Sequence, residues 1–344
     1  MRYSAHLTLT DCLSKTRADA IPRREEGKGD SPTLASLLHR DRHGHMLRTF
    51  SKRLPVRRLQ ELSATSPVDC PICDGASKLD APHPEVDLLR CTVCGHRFSR
   101  IKDGSSWERY DPLYYQETHR NWFAHPDLGL FDTIARRIEN EPEPRSLIDV
   151  GCGNGNLLRH LAKRFGPNTE FVGIDLSLNE TTPGIEFIQG DVLNTPFDRT
   201  FSVVVTLATI EHIADICSFA ERLRSLTRPG GLVVVMTLND DSLLYVTART
   251  LRRLGIPIAF DRLYSRHHLH HFGRASLCHL LRDKGLRPEY AVVHNAPFRA
   301  IDVPAKSPVA AAFLRLAVVG INCFGWLTGK SYLQTVFCRY DRGT

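Results

Sequence analysis

The sequence has no uninterrupted apolar run long enough to be read at once as a membrane span. Its longest apolar stretch, Val309 to Trp326, is interrupted by Arg315 and Asn322. An arginine near the centre of a span costs on the order of 3 kcal/mol. The stretch therefore predicts a helix packed on the protein rather than a span, while contact of residues 309–326 with a membrane surface stays open.

The amino terminus also lacks the basic region, apolar run and small-residue cleavage site of a signal peptide. We therefore expect a cytoplasmic protein in a reducing compartment. The composition, 42% hydrophobic and 24% charged, excludes a wholly disordered, collagenous or coiled-coil chain. A length of 344 residues predicts one large domain or two unequal ones.

Excess charge of one sign is absent from most of the chain. Residues 1–66 hold 13 Lys and Arg against 7 Asp and Glu, whereas the other 278 residues hold 32 against 31. A basic tail can attach to nucleic acid or anionic lipid, but the interspersed acids favour a solvated tail. The nearly neutral remainder carries no electrostatic signature of a nucleic-acid partner.

The ten cysteines do not form an extracellular disulfide pattern. Two CxxC pairs, Cys70 with Cys73 and Cys91 with Cys94, are separated by 17 residues. This spacing is typical of a structural zinc site in which four thiolates complete a tetrahedron. A disulfide role is the less favoured alternative. The unit resembles zinc ribbons that precede methyltransferase domains in some RNA-modifying and tailoring enzymes.

Short β-branched runs alternate with helical stretches after residue 143. Runs such as Val203 to Val205 and Val233 to Val235 are apolar at every position, which is typical of strands covered on both faces. The alternation predicts an α/β fold with a doubly wound, largely parallel sheet. Seven strands are predicted, at 146–150, 171–175, 185–189, 201–207, 232–237, 287–294 and 331–340.

The predicted organisation has four parts. They are a basic, loosely ordered tail at 1–66, a zinc ribbon at 67–100, an aromatic connector at 101–143 and the α/β domain at 144–344. A helical insertion at 296–330 separates the last two strands, which is a common place for a substrate cap.

A glycine-rich loop, Asp149 to Gly155, follows the first α/β strand and opens a helix. Glycines there allow a tight turn and a close approach of the backbone to a ligand. The dinucleotide fingerprint GxGxxG does not fit, because Gly155 comes one position early. Asp149 would repel a pyrophosphate but attract a ligand that carries an ammonium group and a sulfonium, which points to S-adenosylmethionine.

At these residues the chain resembles the class I S-adenosylmethionine-dependent methyltransferases, in particular the small-molecule branch that includes ubiquinone-type O-methyltransferases. The resemblance covers about residues 145–295 and implies a Rossmann-like seven-stranded sheet. Besides the glycine loop it rests on Gly173 to Asp175, Gln189 to Val192, Ile210 to His212, Arg228 to Gly231 and His268 to Phe272. Phe201-Ser202 departs from the family's usual aromatic-Asp pair.

The resemblance also implies roles for individual residues in holding the cofactor. Asp149 would hold its ammonium group, and Asp175 its ribose. Asp191 and the Val192 amide would face the adenine edge, while Leu176 would pack on the ring. The methionine-side pocket would be shaped by three glycines, Gly151, Gly153 and Gly155.

Two histidines are candidates for a general base. His212 follows the fourth strand of the α/β domain, and His268 belongs to the cluster His267-His268-Leu269-His270-His271. A metal at this cluster lacks support from an HExxH spacing, so solvated or capping histidines are expected. Glu211 is expected to orient a loop rather than to react.

The sequence thus predicts an enzyme that moves a methyl group to a small-molecule or carrier-linked acceptor, with O-methylation favoured because a base is at hand. RNA methylation is an alternative, suggested by the ribbon and the basic tail. A zinc-ribbon binding protein with a catalytically silent nucleotide fold is another.

Overall fold

A computed structural model describes residues 68–102, 120–143, 145–177, 179–300 and 307–341. All of them belong to one compact unit. The predicted tail at 1–66, and residues 103–119 of the predicted connector, lie outside the described residues.

The main sheet has seven strands in the order β10-β11-β8-β7-β4-β5-β6. The neighbours from β8 to β6 are parallel, whereas β11 is antiparallel to both β8 and β10. The mixed, seven-stranded α/β sheet agrees with the predicted fold class. Its strands are β4 (Arg145–Val150), β5 (Thr169–Asp175), β6 (Glu186–Gln189), β7 (Phe201–Leu207), β8 (Thr227–Leu238), β10 (Leu286–His294) and β11 (Leu333–Tyr340).

Helices cover both faces of this sheet. The helices are α1 (Arg120–Ala124), α2 (Leu128–Ile138), α3 (Asn156–Phe165), α4 (Ile216–Leu226), α5 (Leu243–Arg253), α6 (Ile258–Leu263), α7 (Arg274–Asp283) and α8 (Pro308–Leu327). Successive residues of a strand belong to apolar clusters on opposite faces of the sheet. Val204 packs with side chains of α4 and α7, whereas Val203 and Val205 pack with those of α2 and α3. The wholly apolar valine runs therefore lie between two covered faces, as their composition predicts.

The alternation of strands and helices is less regular than predicted. Among the described residues, no helix lies between β5 and β6 or between β6 and β7. Both links contain proline, Pro183 and Pro196, which removes a backbone donor and disfavours a helix interior. Conversely, α2 lies in the stretch predicted as a connector, and its residues Leu130, Ile134 and Ile138 are fully buried against the sheet.

The cysteine unit forms a second, four-stranded sheet. Its strands are β1 (Ser77–Pro82), β2 (Val86–Cys91), β3 (Arg97–Ile101) and β9 (His270–His271), in that order. Arg97 pairs with His271 and Phe98 with His270, so the fourth strand comes from a segment more than 160 residues later in the chain. A buried ion pair between Arg97 of β3 and Asp240, at 2.5 Å, links β3 to the residues that follow β8.

Helix α8 occupies the predicted insertion but differs from the prediction in its packing. Asn322 and Gly325 are buried, whereas most of the helix is exposed. Within the described residues, no helix combines the length and the hydrophobicity needed to cross a bilayer.

Candidate functional site

The glycine loop lies at the carboxyl end of β4, where parallel strands of the sheet present their loops. Gly151, Gly153 and Gly155 have φ angles of 71°, 52° and 75°, a left-handed conformation that favours glycine. A Cβ at Gly153 would lie 2.7 Å from the ring of Phe123, and one at Gly155 would lie 2.6 Å from the ring of Phe187. Both the conformation and the crowding therefore require glycine here.

Asp149 precedes this loop and is only 2% exposed. Its Oδ1 atom is buried and has no hydrogen-bond partner among the described residues. Burial, followed by the nearby carboxylate of Asp175, raises the pKa of Asp149 to about 8. An unsatisfied buried carboxyl oxygen is costly unless a donor or a cation reaches it.

Asp175 ends β5, the strand next to β4, and its side chain organises two loops. Its carboxylate accepts hydrogen bonds from the Gly153 backbone N–H at 2.9 Å and the Ser177 backbone N–H at 2.8 Å. Its backbone carbonyl accepts from the Gly190 N–H at 2.8 Å, beyond β6. Asp175 thus connects the glycine loop to the end of β6. The neighbouring Leu176 side chain is 46% exposed.

Asp191 and Val192 follow β6 in a tight turn. The Asp191 carboxylate accepts from the Leu193 backbone N–H at 2.9 Å and from the Asn194 amide at 2.6 Å. The Val192 side chain is buried, and its carbonyl accepts from Arg222 Nε at 2.9 Å. All eight residues predicted to hold the cofactor therefore lie at the carboxyl edge of three adjacent strands, β4, β5 and β6.

An aromatic residue that the sequence analysis left without a role covers the glycine loop. Phe123, in α1, contacts Gly153 with its ring, and its carbonyl accepts from the Asn156 side-chain amide at 2.9 Å. The many aromatic residues of the predicted connector were the one sequence feature that could have indicated such a contact. Nothing in the local pattern indicates which of its rings would reach the loop.

His212 lies in a short 3-10 helix, Ile210–His212, just beyond the end of β7. Its Nδ1 atom is 2.6 Å from the carbonyl oxygen of His267, and its ring centroid is 5.0 Å from that of His268. Since a carbonyl only accepts, Nδ1 carries the proton and the neutral ring has its lone pair on Nε2. The structure thus brings the two predicted base candidates together.

The turn that carries His212 follows a residue with an uncommon backbone conformation, Ala208, and contains a buried carboxyl group, that of Glu211. Ala208 has a φ angle of 53°, a conformation that is rare for a residue with a side chain. Glu211 is fully buried, accepts from Thr237 Oγ1 at 2.8 Å, and has a pKa raised to about 7 by burial. Its carbonyl accepts from the Leu269 N–H at 2.8 Å. These contacts tie the His212 turn to β8 and to the histidine cluster.

Of the two roles expected for the clustered histidines, solvated or capping, the solvated one is wrong for His270 and His271. Both are buried because β9 pairs with β3, a contact that the local sequence does not reveal. His271 Nε2 lies 2.9 Å from Ser99 Oγ, and His270 Nδ1 lies 3.2 Å from His96 Nε2. Burial lowers the pKa of His270 to about 4.

The four predicted metal-binding cysteines converge. Their Sγ atoms all lie within 4.8 Å of one another, with Cys70 to Cys94 and Cys73 to Cys91 both at 3.6 Å. A tetrahedron with metal–sulfur bonds of about 2.3 Å has sulfur–sulfur edges of about 3.8 Å. The thiols are therefore spaced for a zinc ion, and no other such cluster lies among the described residues.

The two CxxC turns have matching backbones. Asp74 and Gly95, which follow the second cysteine of each pair, have φ angles of 54° and 74°. Aspartate tolerates this left-handed conformation, so Asp74 can take the position in its turn that Gly95 has in the other. Backbone N–H groups point at sulfur, from Ile72 to Cys70 and from Val93 to Cys91, which favours thiolate ligands.

Comparison with known proteins identifies the family of the α/β domain. Residues 120–291, half of the chain, match the family described as "Methyltransferase domain". Malonyl-[acyl-carrier protein] O-methyltransferase of Halalkalibacterium halodurans is 31% identical over 132 residues, which cover 35% of this chain and 48% of that protein. Ubiquinone biosynthesis O-methyltransferase of Mesorhizobium japonicum is 33% identical over 144 residues, covering 37% and 53%.

A third relative is named as an N-methyltransferase. The dTDP-3-amino-3,4,6-trideoxy-alpha-D-glucopyranose N,N-dimethyltransferase of Streptomyces venezuelae is 39% identical over 170 residues, covering 44% of this chain and 65% of that protein. The chain spans about half the length of the first two relatives.

Proposed function

Because the chain belongs to the methyltransferase family that matches residues 120–291, we propose that it is an S-adenosylmethionine-dependent methyltransferase acting on small molecules. The observation that carries this proposal is the buried, unpartnered Oδ1 of Asp149 beside three glycines in left-handed conformation. The match covers only part of each relative, so the activity is a proposal, which the family and the chemistry of the site both support.

The site fits the cofactor in charge and shape. A cation 4 Å from a carboxylate gains about 4 kcal/mol at the effective dielectric constant of a protein surface. An ammonium group beside Asp149 would satisfy its free oxygen and favour its ionised form. Gly151, Gly153 and Gly155 would let the loop backbone turn toward the methionine end of the ligand, because each adopts the left-handed conformation that favours glycine.

The ends of β5 and β6 would hold the nucleoside. Each Asp175 oxygen accepts one backbone hydrogen bond, and a carboxylate oxygen has a second lone pair that a ribose hydroxyl could use. Leu176 exposes an apolar side chain suited to packing on adenine. Asp191 and the Val192 amide would face the adenine edge.

When bound, S-adenosylmethionine supplies a methyl group on a sulfonium, whose leaving group is already activated. The protein's part is alignment, together with removal of a proton when the acceptor is a hydroxyl. The His267 carbonyl fixes the His212 tautomer, so Nε2 is the basic atom. We assign His212 as the general base and His268 as the second candidate, which favours O-methylation of a small or carrier-linked acceptor.

We further propose that Cys70, Cys73, Cys91 and Cys94 hold a structural zinc ion. All four ligand positions would be filled by thiolates, so the ion would brace the ribbon and would not activate water. The ribbon is a small sheet, and metal binding would supply folding free energy that its few apolar residues do not.

Calorimetry with S-adenosylmethionine, S-adenosylhomocysteine and NADH tests the cofactor assignment. We expect both sulfur nucleotides to bind and NADH not to bind. Tight binding of NADH without S-adenosylhomocysteine would refute the proposal. Screening cell extract for radiolabelled methyl acceptors tests transfer, and binding without transfer to any acceptor would instead favour a catalytically silent fold.

A further inference from the structure

Helix α8 carries an apolar surface that the methyl-transfer site does not use. Six residues at alternating spacings of four and three share one face of the helix and are all exposed. We name this face the apolar stripe; it consists of Val309, Phe313, Leu316, Gly320, Cys323 and Leu327. The stripe is about 27 Å long at 1.5 Å per residue.

The opposite side of α8 is the one that packs on the protein. Asn322 and Gly325 are buried, and the Asn322 carbonyl accepts from the Asn295 side-chain amide at 2.9 Å. A Cβ at Gly325 would lie 3.5 Å from that of Leu243, at the start of α5. The helix is thus anchored through its polar and small residues, and its large apolar residues point outward.

The exposure of these side chains is extreme for a protein surface. Val309, Phe313, Leu316 and Leu327 are each at least 70% exposed. A contiguous exposed apolar surface of this kind usually marks an interaction site. Leu254 and Ile258, in the segment after α5, are exposed to a similar degree.

The charged residues within these two segments of the chain have one sign. Residues 303–340 contain four Lys and Arg and no Asp or Glu, and residues 242–260 contain three Arg and no acid. Arg315 and Lys330 on the first segment and Arg253 on the second are exposed. Two of the other cations are paired with acids, Arg339 with Glu141 and Arg249 with Asp240. Apolar side chains combined with the exposed cations Arg315 and Lys330 are complementary to a membrane surface that contains anionic lipid.

The residues that flank the stripe argue against a second copy of the chain as its occupant. Paired helices usually carry complementary charges beside their apolar seam. Here Ala312 and Ala317, which flank the stripe, are exposed and apolar, and the charged residue of the helix, Arg315, lies about 120° around the helix from the stripe, too far to form such a pair. A bilayer covers apolar flanks and attracts the cation.

We propose that the apolar stripe of α8 docks the protein on the surface of an anionic lipid bilayer. The helix would lie in the plane of the surface, with the stripe toward the acyl chains and Arg315 and Lys330 at the headgroups. This inference does not depend on the proposed methyl transfer.

Flotation of the full chain with lipid vesicles tests the proposal. We expect binding to vesicles of equimolar phosphatidylcholine and phosphatidylglycerol, and binding roughly tenfold weaker to phosphatidylcholine alone. Raising the salt to 1 M, where the Debye length is about 3 Å, should release most of the protein. Absence of binding to the anionic vesicles, or equal and salt-independent binding to both, would overturn the proposal.

A double variant, Phe313→Ser with Leu316→Ser, identifies the surface. Both side chains would be buried in the bilayer, so their loss should weaken vesicle binding roughly 100-fold. The melting temperature measured by circular dichroism should stay unchanged, because both residues are exposed in the free protein. Leu79→Ser, which removes a 56% exposed leucine from β1, should leave binding intact. An equal loss in Leu79→Ser contradicts the assignment.

Light scattering of the same proteins separates lipid from a second copy. We expect a monomer in solution for the wild type and the double variant. A wild-type dimer that the double variant abolishes, without vesicle binding by either, would make the stripe a contact between copies and overturn the proposal.

Discussion

The Nδ1 atom of His212 lies 2.6 Å from the carbonyl oxygen of His267, 55 residues later in the chain. The contact selects the tautomer with the lone pair on Nε2 and fixes the plane of the ring. A histidine held in this way is suited to accept a proton on one defined atom.

Replacing His212 by glutamine should lower the rate of methyl transfer about 100-fold or more, because the substitution removes the proposed general base. Calorimetry should show unchanged affinity for S-adenosylhomocysteine. The measurement is transfer of labelled methyl groups to the acceptor found in extract. His160→Gln is the matched control. His160 lies on α3 and contacts Asp132 of α2, away from the proposed site, so this variant should keep full activity. A fully active His212→Gln protein would exclude His212 as the base.

Replacing Asp175 by alanine should weaken S-adenosylhomocysteine binding roughly 10- to 100-fold, the usual effect of losing hydrogen bonds to a charged group. The N–H groups of Gly153 and Ser177 also lose their acceptor, so the glycine loop becomes less ordered. Asp132→Ala, which removes a half-exposed carboxylate from α2, serves as the control. Calorimetry measures both proteins, and unchanged affinity in Asp175→Ala would count against the ribose assignment.

The buried carboxyl of Asp149 predicts a pH dependence of stability in the ligand-free protein. Its pKa is raised to about 8 in the folded state and is about 3.9 in an unfolded chain. Between these values the unfolded chain has released the proton that the folded chain keeps. The free energy of unfolding should therefore fall as the pH rises, by up to about 1.4 kcal/mol per pH unit.

Urea unfolding of the wild type and Asp149→Asn across this pH range measures that contribution. Asparagine cannot ionise, so the variant should lose this part of the slope and become the more stable of the two toward the upper end of the range. Parallel pH profiles would show that Asp149 is ionised throughout.

If the four cysteines hold zinc as proposed, replacing Cys91 by serine should release the ion and lower the melting temperature by about 10 °C, the shift expected for a loss of a few kcal/mol in a chain of this size. Metal analysis and calorimetric melting are the measurements. Cys278→Ser removes a buried cysteine outside the cluster and should retain one zinc per chain. Equal metal contents in wild type and Cys91→Ser would refute the zinc site.

Local patterns were sufficient to predict the main sheet and the positions of its charged strand ends. The valine runs of β7 and β8 indicate strands buried on both faces, and parallel strands bring Asp149, Asp175 and Asp191 to one edge. The fold, the family and the convergence of the four cysteines are confirmed. The roles of the individual cofactor-binding and catalytic residues stay predictions.

Features that depend on distant segments could not be predicted in the same way. The burial of His270 and His271 follows from pairing with β3, and the contact of Phe123 with Gly153 joins residues 30 apart. Neither has a periodic signal. The exposure of α8 was missed for a related reason, since an apolar sequence indicates burial without showing which surface provides it.

The pairing of Arg97 with His271 has a consequence for exchanging parts between relatives. A chimera that took its cysteine unit from another protein would have to reproduce the register of β3 on β9, or the turn holding the His267 carbonyl would lose its lateral support. The cysteine unit and the segment His267 to His271 therefore depend on each other, and a chimera would have to take both from the same protein.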